Sequence, residues 1–115
     1  MPDRTTRKLV QGVQREVLET ADLLPSRAAD LLMELTALVG NFNEDIRRFD
    51  AEYAWVLLGF LESKEKANRA KIHAEISPEY ERRQSARDTK ELAIELVRSL
   101  KYFLKAKEEE MRLAR

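Results

Sequence analysis

Tyr53-Ala-Trp-Val-Leu-Leu-Gly-Phe-Leu61 constrains this chain more than any other stretch, because apolar residues run unbroken there for more than two helical turns. An amphipathic helix needs only one apolar stripe. Here Val56, Leu57 and Phe60 share one side, while Trp55 and Leu58 point elsewhere. A helix that is apolar all round has to be covered all round. The chain must therefore bring other helices to this segment, its own or a partner's.

The remaining residues supply such helices. With 115 residues, three glycines and three prolines, the chain suits one helical domain. Residues 6–24 place Leu9, Val10, Val13, Val17, Leu18, Ala21 and Leu24 at steps of three and four, which predicts a first helix. Pro25 is expected to end it, and Ser26 to cap the next.

A second stripe runs through Leu31, Leu35, Leu38, Phe42, Ile46, Phe49, Tyr53, Val56 and Phe60, then continues in Ala67, Ala70 and Ala74. It predicts a long helix over 26–75, either continuous or broken near 40–43, where Gly40-Asn41-Phe42-Asn43-Glu44 also reads as a stop followed by a cap. The sharpest boundary is Ile76-Ser77-Pro78-Glu79, with Ser77 as N-cap and Pro78 in the first helical position. A last helix follows over 78–112.

A turn at 76–77 would fold the two long helices into an antiparallel hairpin. Ala67 then faces Ala86, Phe60 faces Ala93, Leu57 faces Leu96, Tyr53 faces Leu100 and Phe49 faces Leu104. The expected fold is all-α: a long helical hairpin with an N-terminal helix or helix pair on its base, a three- or four-helix coiled-coil-like bundle. An arm of about 32 residues is roughly 48 Å long, more than helix 6–24 can cover. Tyr53, Trp55, Leu58, Phe60, Ile94 and Tyr102 therefore become candidates for a core or oligomer interface, and a homo-oligomer is expected. A compact monomeric bundle is the alternative.

Nothing in the chain reads as catalytic machinery, so no enzyme activity and no cofactor are expected. His73 stands alone, without the Glu-x-x-His pairing of di-iron bundles or the further ligands a zinc site needs. No phosphate-cradling glycine loop occurs. Acidic pairs such as Asp50/Glu52 read as solvated helix faces. The absence of cysteine and of an apolar leader, together with an apolar run far shorter than a bilayer span, predicts a cytoplasmic protein without a membrane or small-molecule partner.

Charge is distributed unevenly. Residues 1–62 hold 7 Lys/Arg against 11 Asp/Glu, and residues 63–115 hold 14 against 10, so a net charge of zero conceals −4 and +4. Lys64, Lys66, Arg69 and Lys71 lie in one arm of the expected hairpin, and Arg82, Arg83, Arg87 and Lys90 in the other. The same register would set Lys71 beside Arg82 and Lys66 beside Arg87. Abutting like charges suggest a basic band for a phosphate backbone, with Tyr80 available to stack on a base. Ordinary i,i+4 pairs on a solvated face are the plainer account, with Tyr80 merely capping the core.

The succession Leu-Glu-Ser-Lys-Glu-Lys-Ala-Asn-Arg-Ala-Lys, Ser-Pro-Glu-Tyr-Glu-Arg-Arg and Glu-Leu-Ala-Ile-Glu-Leu-Val-Arg-Ser-Leu-Lys-Tyr-Phe-Leu resembles small helical phage and prophage proteins over roughly 49–112. Some of these are grouped with recombination mediators that load a strand-exchange protein onto single-stranded DNA. The resemblance implies an oligomer that binds single-stranded DNA, or works with a DNA-processing protein, through the basic residues named above. The other reading is a protein–protein module, a scaffold, adaptor or inhibitor, that acts through its coiled-coil surface.

Overall fold

The computed structural model describes residues 2–63 and 66–114. It consists of α1 (Pro2–Glu19), α2 (Pro25–Glu62), α3 (Ala67–Glu75) and α4 (Pro78–Leu113), with no strand among the described residues. The fold is all-α, and the long helices α2 and α4 pack against each other.

Where the helices begin and end follows from a few residues. Pro25 does not close the first helix; it opens the second, because its missing N–H costs nothing in the first turn. Ser26 is accordingly already helical, and α1 ends earlier, at Glu19. The α1 stripe is also narrower than its periodicity suggests: Val10 and Val13 are buried, whereas Leu9 and Leu18 are exposed. Gly40 leaves α2 unbroken, since the apolar phase continues through it.

Instead α2 ends at Glu62, and the next helix begins at Ala67. Ser63 turns its hydroxyl to the Phe60 carbonyl at 2.7 Å, and Lys66 is extended at ψ 147°. Past Leu61 only alanines carry the stripe, so little apolar area holds the helix to its course. The expected helix 26–75 is therefore two helices. Ser77 does cap α4, its Oγ accepting the Tyr80 amide at 3.2 Å.

The chain forms two compact units, one of residues 1–40 and 89–115, the other of 41–88. The first contains α1, the start of α2 and most of α4. Its core is aliphatic: Val10, Val13, Ala28, Leu31, Leu35, Ala93, Leu96 and Leu100. Arg27 grips Glu16 through two parallel bonds of 2.6 and 2.8 Å, tying α2 to α1. The second unit holds the end of α2, α3 and the start of α4 around Phe42, Phe49, Ala70, Ala74 and Ala86.

Within this second unit the helix pairing differs from the expected register. Tyr53 meets Tyr80, with ring centroids 5.4 Å apart, and Asp50 meets Arg83. Tyr53 thus faces the start of α4 rather than Leu100. The cause is α3, which folds back on the end of α2 and sets Phe60 5.3 Å from His73. The chain spends two bends, not one, before α4 begins.

Candidate interaction surfaces

The basic residues of the second unit divide into paired and exposed groups. Arg83 donates from Nε to Asp50 Oδ1 at 2.7 Å, and Arg87 donates from Nη2 to the same oxygen at 3.1 Å. Their spacing of four puts both guanidinium groups on one face of α4. The Arg83 guanidinium also lies 4.7 Å from the Tyr53 ring centroid, a cation–π contact. Arg82 is 3.7 Å from both Glu52 and Glu79.

The expected abutment of Lys71 with Arg82 and of Lys66 with Arg87 is therefore replaced. Acids of α2 face the arginines of α4, because α3 shifts the register. Asp50 and Glu52, read from sequence as a solvated pair, instead face α4: Asp50 is hydrogen-bonded to two of its arginines, and Glu52 lies within ion-pair distance of a third. Only the correct register would have exposed their role.

Among the lysines, Lys64 lies outside the described residues. Lys66 and Arg69 are exposed at the start of α3, and Lys71 is exposed with Glu75 one turn away at 4.0 Å. Lys90 is half-buried and belongs to the other unit. Tyr80 is half-buried against Tyr53. Beside these rings is an open cleft of about 510 Å³ whose walls include Leu57, Leu61, Lys71 and Arg83.

The candidate interface residues also separate. Tyr53, Phe60 and Ile94 are half-buried, so they serve the chain's own packing. Trp55 is 73% exposed, Leu58 42% and Tyr102 78%. On the second unit, Ala51, Ala54, Trp55, Leu58 and Gly59 together form an exposed apolar side of α2, opposite the side that carries Phe49, Tyr53 and Phe60. At its border with the packed side, Trp55, Val56, Gly59, Phe60 and Ser63 line a shallow groove of about 390 Å³.

Compared with known protein families, characterised proteins and solved structures, the chain matches none. No cluster of three or more His, Cys, Asp or Glu side chains suited to a metal occurs among the described residues. No described helix is long and apolar enough to cross a membrane.

Proposed function

We propose that the chain is a non-enzymatic helical module that acts by binding protein, through the exposed apolar side of α2. The observation that carries this reading is Trp55. An indole exposes a large apolar area to water, and large side chains of this kind concentrate at the centres of protein interfaces. Here it stands among Ala51, Ala54, Leu58 and Gly59 where a solvated helix would be polar. The pairing of Arg82, Arg83 and Arg87 with acids supports the same choice, since arginines engaged with carboxylates offer less charge to a phosphate backbone.

Titration of a labelled single-stranded oligonucleotide at low and high salt tests the proposal. Binding is expected to be absent at both. Binding that weakens with salt, by a log–log slope of about −0.7 for each phosphate neutralised, would overturn it in favour of the nucleic-acid reading. Replacing Arg82, Arg83 and Arg87 with Ala is expected to lower stability by roughly 1–3 kcal/mol, the loss of partly exposed charged hydrogen bonds.

A further inference from the structure

We infer that the partner for this side of α2 is a second copy of the chain, docked antiparallel across a two-fold axis near Trp55. The inference rests on the protein-binding reading above and names its occupant. Arg48, Ala51, Trp55, Leu58 and Glu62 recur at steps of three and four, and all are exposed. They form one stripe with an arginine at one end, an acid at the other and the indole midway. A two-fold interface requires such self-complementarity, because each patch must meet itself reversed.

With the axis at Trp55, Arg48 of each copy faces Glu62 of the other, and Ala51 faces Gly59. Arg48 already has Asp45 at 3.5 Å, through Nη2, and lies 4.9 Å from the Phe49 ring centroid. A guanidinium has five N–H donors, so it can serve a second carboxylate. Arg47, also exposed, stands at the same end, opposite in charge to the exposed Glu44.

Gly59 is an independent observation. Glycine inside a helix costs about 1 kcal/mol relative to alanine. A Cβ at Gly59 would meet no atom within 4 Å, so the chain's own packing does not ask for glycine there. On this exposed side it leaves room for a second helix to approach closely. Helical side chains lean toward their own N-terminus. In an antiparallel pair the two indoles therefore lean apart, each toward the partner's Leu58 and Gly59, where the shallow groove lies.

The stripe from Arg48 to Glu62 is about 22 Å long. A patch of that length falls at the small end of stable interfaces, which bury roughly 800 Å² on each side. The dimer is accordingly expected to dissociate on dilution through the micromolar range.

Sedimentation of the full chain over that range is the test. A reversible monomer–dimer equilibrium is expected. Gly59→Leu should abolish the dimer while leaving a well-folded monomer, since the added Cβ meets open space and leucine favours the helix. Arg48→Glu and Glu62→Arg should each weaken the dimer at least about tenfold, and their combination should restore it. A monomer at every concentration overturns the inference, as does a dimer indifferent to Gly59→Leu or unrestored by the double reversal. A monomer that also ignores DNA removes only the second copy and leaves the protein-binding reading standing. Salt-sensitive DNA binding removes that reading whatever the oligomeric state.

Discussion

Two residue pairs show how differently an acid can serve in this molecule. Asp50 accepts from two arginines through a single oxygen, so it clamps α4 to α2 within one unit. Glu16 meets the Arg27 fork side by side. Those hydrogen bonds favour its charged form and hold its carboxyl below the ordinary range, more strongly than partial burial raises it. A carboxyl whose folded pKa is depressed adds stability above its unfolded pKa and loses it as pH falls through the folded value. Acid titration of the folding midpoint should therefore show a loss below about pH 4.5 that Glu16→Gln removes. Equal acid sensitivity in the variant would show that Glu16 is not the group responsible.

Among the elements, α2 was the most legible in sequence and α3 the least. The stripe from Leu31 to Phe60 described α2 correctly because every third or fourth residue is large and buried or half-buried. Its passage through Gly40 has a direct consequence. A Cβ there would meet nothing within 4 Å, so Gly40→Ala should stabilise the chain by about 1 kcal/mol, read as a higher urea midpoint. A decrease would mean that the helix does bend at Gly40. Beyond Leu61 the stripe dwindled to alanines. Ala67, Ala70 and Ala74 keep helical phase whether or not the backbone stays straight, so periodicity could not register the end of α2 at Glu62. That one miss displaced the expected partners of Tyr53 and Phe60. It also concealed the roles of Asp50 and Glu52, while the Ser77-Pro78 boundary depended only on local residues and was read correctly.

At the scale of the whole molecule, the two units are built from different materials. Leucine and valine fill the first, whereas phenylalanine set against alanine fills the second. The side of α2 that carries Ala51, Trp55 and Leu58 is left with apolar surface exposed. Trp55 is the chain's only tryptophan, and it stands on that side. In the dilute monomer its indole meets water in both the folded and the unfolded chain. Its emission maximum should therefore barely move during thermal melting at low concentration, even as the helical ellipticity collapses. A large red shift on melting would mean that the indole is sheltered in the folded monomer. The residue that ordinarily reports whether a protein is folded would here report whether it has company.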